Sequence, residues 1–289
     1  MEYQVEGAHA GRKLRDILRQ VMGVSYGAMK SAKWDGRIAV NSVPTPVDAI
    51  VREGDIVSIR WKDTPVYAVK PYPLPLSILY EDEHLLVIDK PAPLASQSSA
   101  NHPDDALENA LFSHLGCPAD YVYRPVNRLD KGTSGLMLVA RTPHAQHKLQ
   151  QLLHTEDFRR TYLAVVEGHL PAKRGVIDAP IGKEDAASIR RLVTPDGKPS
   201  VTHYEVLQEG ASRSLVRLVL ETGRTHQIRV HMAYLSCPVC GDFLYGTELP
   251  ELPGRFALHS HEVQLLHPLT GESLRIVSPL PDSLTSLLD

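Results

Sequence analysis

Three stretches of the chain bring together side chains that can ionise, donate hydrogen bonds or stack. The first, Arg128-Leu-Asp130-Lys-Gly-Thr133-Ser-Gly135, runs into the apolar run Leu136-Met-Leu-Val-Ala140, so a carboxylate stands at the mouth of a core strand. The plain alternative is a turn tied by Asp130, since aspartate often accepts local backbone hydrogen bonds. Lys131-Gly-Thr-Ser-Gly135 has the wrong order for a phosphate loop, which needs its two glycines and their four-residue spacer ahead of the lysine. The alternating oxygen ligands of a calcium loop are missing as well.

The second stretch, Gly223-Arg224-Thr-His226-Gln-Ile-Arg229-Val-His231, begins where a strand ends and leads into Met232, Ala233 and Leu235, with Thr225 as the expected helix cap. At about 100° per residue, Arg224 and Arg229 stand roughly 140° apart and should face different partners. His226 and His231 share that interval, which disfavours a common metal, because zinc-binding helices use a four-residue spacing. Cys237 and Cys240 are half of a zinc pattern without a second ligand pair, so packed thiols are expected and no metal is assigned. In the third stretch, Arg160-Thr-Tyr162-Leu-Ala164 alternates as a strand, projecting Arg160, Tyr162 and Ala164 from one face. A tyrosine in such a place is more often a sheet aromatic than a reacting group.

The elements that must hold these groups are mostly strands. Strand candidates beyond residue 75 are ILYED, HLLVIDKP, 135–141, 159–168, 201–208, 214–222, 256–267 and 273–280, joined by short turns. Helices are expected at DDALENALFSHL, opened by Asp104 or Asp105, and at about 143–153 and 225–235. The fold class is therefore α+β, with a mixed, mainly antiparallel sheet flanked by helices. Ahead of it, Leu14, Ile17, Leu18 and Val21 recur at helical spacing, ringed by Arg12, Lys13, Arg15 and Arg19. A second short helix carrying Met29, Lys30 and Lys33 is expected after Gly23, and then strands at 37–41 and 55–60 with Gly54 at the turn. Four prolines within 63–75 favour an extended connector, which divides the chain into a small unit, 1–62, and a large one, 76–289.

Composition excludes several classes. A chain of 289 residues with 43% hydrophobic and 22% charged residues is ordinary globular protein. No apolar run approaches a membrane span and the N-terminus lacks a secretory core, so a cytoplasmic location is the default. The three cysteines are too few for a disulfide framework. A net charge of -3 rules out a uniformly basic coat but leaves room for a local basic surface.

Together the segments resemble the RluA-type pseudouridine synthase family through most of residues 76–280. Arg128-Leu-Asp130 followed by Thr133-Ser-Gly-Leu136 is similar to the family signature around its catalytic aspartate, and Tyr162 matches the tyrosine of the next motif. Gly223 to His231 matches the motif whose later arginine pairs with that aspartate. Gly241-Asp242 and Tyr245-Gly246 match a following loop, and Leu258-His259 a further element near the site. Asn127 departs from the histidine usual before Arg-Leu-Asp, and the 90–96 loop is looser than the family's lysine-proline-alanine-glycine loop. Residues 10–60, a basic helix followed by GRIAVN and EGDIVSI, resemble the S4-like RNA-binding domain.

The resemblance implies a cofactor-free isomerase that extrudes a uridine from structured RNA, ribosomal in preference to transfer RNA, and exchanges its C–N glycosidic bond for a C–C bond. It assigns Asp130, Tyr162 and Arg229 to catalysis, with Arg229 keeping Asp130 ionised. Arg128, Thr133, Arg224, His226 and Leu258 fall to substrate binding, and Arg128 is suited to fill the space of the flipped base or hold its phosphate. Arg12, Lys13, Arg15, Arg19, Lys30 and Lys33 fall to RNA binding, and a monomer needing no protein partner is expected. Two rival readings are an inactive RNA clamp of the same fold and a glycoside hydrolase, which would need a second carboxylate near Asp130. Removing residues 1–62 is expected to weaken binding of structured RNA and flatten its salt dependence; affinity measured across a salt series and left unchanged by the truncation would remove this role.

Overall fold

All seven residues of Ser134–Ala140 are buried, as in a strand covered on both faces, and this strand lies inside a nine-stranded sheet. The structure, a computed structural model, describes residues 1–24, 26–34, 36–60, 69–153, 155–185 and 188–288, without the side chains of Ser31 and Trp34.

At the N-terminal end, β1 (Glu2–Gln4), β2 (Ile38–Val40), β3 (Val43–Pro44) and β4 (Ile56–Ile59) form an antiparallel sheet in the order β1-β4-β2-β3. The helical spacing read in the sequence folds as α1 (Leu14–Asp16), a π-helical turn at Ile17–Val21 and α2 (Tyr26–Trp34). Leu14, Ile17, Leu18 and Met29 are buried with Ile38, Val57 and Ile59 in one core cluster. Strands β1 and β3, unforeseen in the sequence, are short edge pieces with exposed residues and therefore without a core-facing pattern.

The expected connector lies partly outside the described residues. Of its described part, Lys70 accepts a hydrogen bond from Asn109 through its carbonyl (2.9 Å), and the Tyr72 N–H donates to the Asn109 carbonyl (3.2 Å). The segment is thus tied to α3 (Leu107–His114). Neither aspartate opens that helix: Ala106 is its N-cap, and the Asn109 side chain accepts the Ala106 N–H (3.1 Å). Asp104 instead pairs with Lys70 and Asp105 with His102, both outside the helix.

The large sheet contains β5 (Ser77–Glu81), β6 (Leu85–Lys90), β7 (Ser134–Ala140), β8 (Phe158–Glu167), β9 (Arg174–Asp178), β12 (Val201–Glu209), β13 (Arg213–Leu220), β14 (Leu258–Leu266) and β15 (Ser273–Val277). Its order is β5-β6-β7-β14-β8-β13-β12-β9, with β15 also paired to β14. Every pairing is antiparallel except β7 with β14, so the mixed, mainly antiparallel sheet read from the sequence is the sheet observed. A separate hairpin, β10 (Ile181–Lys183) with β11 (Arg191–Val193), and β9 had no strand signal, being short and rich in charge and glycine. The flanking helices are α3, α4 (Pro143–Leu152), α5 (Gln227–Tyr234) and α6 (Asp282–Thr285). Helix α4 starts as its sequence dictates, with Pro143 in the first turn and Thr142 accepting the Ala145 N–H (3.1 Å). No helix among the described residues is long and apolar enough to cross a membrane.

The single parallel contact fixes one glycine. Gly135 has φ +102°, and a Cβ there would lie 2.3 Å from the Ser260 carbonyl oxygen on β14. Gly135→Ala therefore meets backbone strain and a backbone clash together. It is expected to cost about 3 kcal/mol, measured as a lower urea midpoint; an unchanged midpoint would mean that β7 and β14 do not approach this closely.

Candidate active site

The chemistry-bearing loop after Asn127 is held by backbone before any side chain acts. Asn127 accepts the Leu138 N–H (2.8 Å), and the Asp130 carbonyl accepts the Thr133 N–H (3.1 Å), closing a tight turn. Ser96 bridges the loop from outside, donating to the Leu129 carbonyl (2.6 Å) and accepting the Leu129 N–H (3.2 Å). Lys90, wholly buried at the end of β6, donates to the carbonyls of Leu94 (2.8 Å), Pro91 (3.0 Å) and Lys131 (3.4 Å). Burial pulls its ammonium down to about 7 against the opposing pull of Asp130 and Asp89. Gly132 leaves room for Phe256, whose ring would stand 2.7 Å from a Cβ at that position.

Asp130 emerges from this turn with its side chain 29% exposed and meets Arg229, which is 3% exposed, at 2.9 Å between Oδ2 and Nη1. The rest of the guanidinium is spent on Asp242: Nε donates to Oδ2 (2.6 Å) and Nη2 to Oδ1 (2.8 Å). Asp242 is fully buried and also accepts the N–H groups of Leu244 (3.0 Å) and Tyr245 (3.3 Å). The guanidinium carbon lies 4.1 Å from the Phe256 ring centroid and 5.0 Å from that of Tyr245. Burial works against this charge, yet the hydrogen bonds to Asp242 and the charges of both carboxylates outweigh it and hold Arg229 above its ordinary value. Among the described residues, Asp130 Oδ1 makes no hydrogen bond, so one oxygen is positioned and the other is left unbonded.

Helix α5 presents Arg229 inward because of how it begins. Its N-cap is His226 in the left-handed conformation (φ 60°, ψ 17°), so Thr225 is not the cap expected from the sequence. The Gln227 side chain does the tying, accepting from the Arg224 N–H (3.0 Å) and the Thr222 hydroxyl (2.8 Å). Arg224 therefore lies outside the helix, where its Nε donates to the Pro199 carbonyl (3.1 Å). The two arginines do face different partners, for this reason and not through helical periodicity. His226 turns toward Asp130, its Nε2 3.9 Å from Oδ2, while its Nδ1 lies 2.8 Å from the Tyr245 hydroxyl. His231 is buried between the Thr202 hydroxyl and the Ala179 carbonyl, apart from His226. Cys237 and Cys240 are buried free thiols, and burial raises both.

A cavity of about 570 Å³ opens over Asp130, lined also by Arg128, Lys131, Arg160, Tyr162, Arg224 and His226. A smaller space of about 70 Å³ beside it adds Thr133, Arg229 and Leu258. All eight residues assigned from the sequence to catalysis or substrate binding thus converge here. Arg160 and Tyr162 face it from β8 as their alternation requires. Asp130 is the sole carboxylate lining either space among the described residues, so the second acid of a glycoside hydrolase is missing. The six cations assigned to RNA binding belong to the N-terminal unit: Lys13, Arg15, Arg19, Lys30 and Lys33 are exposed and Arg12 is half-buried. Arg15 pairs with Asp48 (2.8 Å), Arg12 with Gln20, and Arg19 lies over the Tyr26 ring.

Sequence reasoning missed the roles of Asp242, Lys90, Tyr245 and Phe256. Asp242 and Tyr245 stood in a quoted motif, but nothing in their spacing told that Asp242 completes the arginine fork.

The model of the RNA pseudouridylate synthase family matches residues 84–234. The uncharacterized RNA pseudouridine synthase YjbO of Bacillus subtilis is 40% identical, over 92% of this chain and 95% of its own length. The chain belongs to the RNA pseudouridine synthase family. The ribosomal large subunit pseudouridine synthase D of Xanthomonas campestris is 38% identical over 98% of this chain and 90% of its own. Among solved structures, human RNA pseudouridylate synthase domain containing 1 superposes with a TM-score of 0.60 at 28% identity, covering 73% of this chain and 86% of that one. The RluA-type resemblance and the synthase fold are thereby borne out, and the chain is an isomerase of RNA uridines.

Arg229→Ala would leave Asp242 buried without its cation. It is expected to cost about 3–5 kcal/mol of stability and to lower single-turnover modification far more than RNA affinity. Arg229→Lys should recover only part, because one ammonium cannot span both carboxylates. Normal single-turnover modification by folded Arg229→Ala would exclude this role.

Proposed function

We propose that this synthase modifies uridines of large-subunit ribosomal RNA, with Asp130 as the reacting carboxylate, and works as a cytoplasmic monomer without a cofactor. The observation that carries the reading is the geometry of Asp130, with Oδ2 fixed by a buried guanidinium and the side chain lining the cavity. Support for the RNA class comes from the relatives of Xanthomonas campestris and Vibrio cholerae, whose names specify the large ribosomal subunit.

The target base is buried in stacked RNA and must be flipped into the cavity. Arg128, exposed at the rim, is suited to take its place in the stack or to hold its phosphate. Ionised Asp130 then attacks the sugar or removes a sugar proton to give a glycal-like intermediate, and the C1′–N1 electron pair leaves with uracil. The base turns and C5 bonds to C1′ as the Asp130–sugar bond breaks or, on the glycal route, as Asp130 returns the proton to the sugar, and the C5 proton departs; Tyr162, which lines the same cavity from β8, stacks on the base or takes that proton. Thr133, Arg224, His226 and Leu258 complete the walls. Residues 1–62, read as an S4-like unit, hold the surrounding RNA through their exposed cations, and residues 76–289 carry the chemistry.

Asp130→Asn keeps the shape and removes the charge. It is expected to fold and bind RNA while single-turnover tritium release from C5-labelled uridine RNA falls to background. Wild-type release by the folded variant would leave Asp130 as a turn residue only.

A further inference from the structure

Among the described residues, the left-handed backbone of His226 is the one strained non-glycine position lining the cavity. Residues outside glycine rarely adopt this conformation, and such strain gathers at functional sites. It brings the imidazole between two fixed points. On one side the Tyr245 hydroxyl accepts the Arg191 N–H of β11 (2.9 Å), and it reaches His226 Nδ1 at 2.8 Å. Among the described residues His226 Nδ1 is the acceptor that the hydroxyl's own proton meets, and with the hydroxyl as donor the ring proton of a neutral imidazole sits on Nε2. On the other side, Nε2 points to the cavity 3.9 Å from Asp130 Oδ2, too far for a hydrogen bond but close enough to share whatever atom Asp130 serves.

The ring is neutral for reasons visible around it. Burial disfavours its charge; Asp130 and Asp242 favour it, Arg229 and Arg191 oppose it, and the net is a lowered value. Tyr245 is in turn held by its surroundings, its ring flanked by the guanidinium groups of Arg229 (5.0 Å) and Arg190 (5.8 Å) and edge-on to His226.

We propose that His226 is a catalytic hydrogen-bond donor whose Nε2–H meets the O2 oxygen of the departing uracil, and that Tyr245 is the positioning residue that fixes this tautomer and aim. The inference rests on Asp130 acting at the sugar. When C1′–N1 breaks, the electron pair passes to uracil and negative charge spreads onto its carbonyl oxygens. O2 is bonded to the carbon next to N1, so it lies beside the sugar carbon and within reach of a donor adjacent to Asp130, whereas O4 is across the ring. No proton is transferred: a neutral N–H stabilises the developing charge and stays in place, as a preorganised donor does.

The test is a double-mutant cycle with the substrate atom as one partner. Target RNA carries uridine, 2-thiouridine or 4-thiouridine at the modified position, and single-turnover rates are measured with wild type, His226→Ala and Asp130→Asn. Sulfur is a poor acceptor, so 2-thiouridine is expected to slow wild type about tenfold or more while slowing His226→Ala little further. 4-Thiouridine should affect both enzymes alike. Equal 2-thiouridine effects in wild type and His226→Ala would overturn the proposal and leave the role of Asp130 intact. An active Asp130→Asn enzyme would instead remove the reading on which it rests. Should His226→Ala not fold, Tyr245→Phe serves in the same cycle: a reduced 2-thiouridine effect supports the positioning role, and a wild-type effect excludes it.

Discussion

A guanidinium that is almost wholly removed from water needs its charge answered by geometry, and Arg229 organises the molecule around that need. An isolated buried ion of this kind would cost several kcal/mol, so its N–H groups must all find acceptors. Three of them go to two carboxylates that are far apart in the chain, Asp130 ahead of β7 and Asp242 after α5. The division is unequal in a useful way. Asp242 is buried, doubly bonded and backed by two backbone N–H groups, so it neutralises the arginine as structure. Asp130 receives only one bond and remains partly exposed, so it is oriented without being consumed. A single bidentate pair between Arg229 and Asp130 would have used both of its carboxylate oxygens.

That arrangement works only if the loop carrying Asp130 cannot drift. A hydrogen bond of 2.9 Å is lost with a shift of an ångström, and side chains alone rarely hold a loop so closely. Here the backbone is pinned from several directions: Ser96 to Leu129, Lys90 to Lys131, and Phe256 N–H to the Gly132 carbonyl. Phe256 serves twice, since its ring also covers the Arg229 guanidinium. The small size of Gly132 and the left-handed Gly135 are what let β14 and its preceding segment approach. The placement of Asp130 and sheet closure thus depend on the same set of contacts.

Much of this was legible in the sequence because it is written locally. The apolar run after Ser134 announced β7, the alternation of Arg160 to Ala164 announced β8, and a helix was read at about 143–153, where α4 lies. Asp130, Tyr162 and Arg229 were legible because each lies in a dense motif. What was not legible depends on contacts between distant segments. The partner of Asn109 is the cap of its own helix, an arrangement that two nearby aspartates conceal. Gln227 displaces Thr225 as the residue that ties α5, since a longer side chain can turn back to both Thr222 and Arg224. Asp242 and Lys90 lie in segments matched to the family, yet their burial and their partners come only from the tertiary fold.

The charge balance of the whole chain is equally uninformative about the cleft. With a net charge of -3, the protein as a whole does not attract RNA. The lining of the larger cavity nevertheless sets Arg128, Lys131, Arg160 and Arg224 against the lone carboxylate of Asp130. These cations come from the loop before β7, from β8 and from the turn before α5, so no short segment of sequence is basic enough to reveal them. A concave, partly dry surface focuses such a field on its opening. A polyanion approaching this cavity therefore meets four cations and one carboxylate, a polarity set by the lining and not by the net charge of the chain. The cations of the lining and the buried guanidinium of Arg229 together offset the charge of Asp130 toward an approaching polyanion.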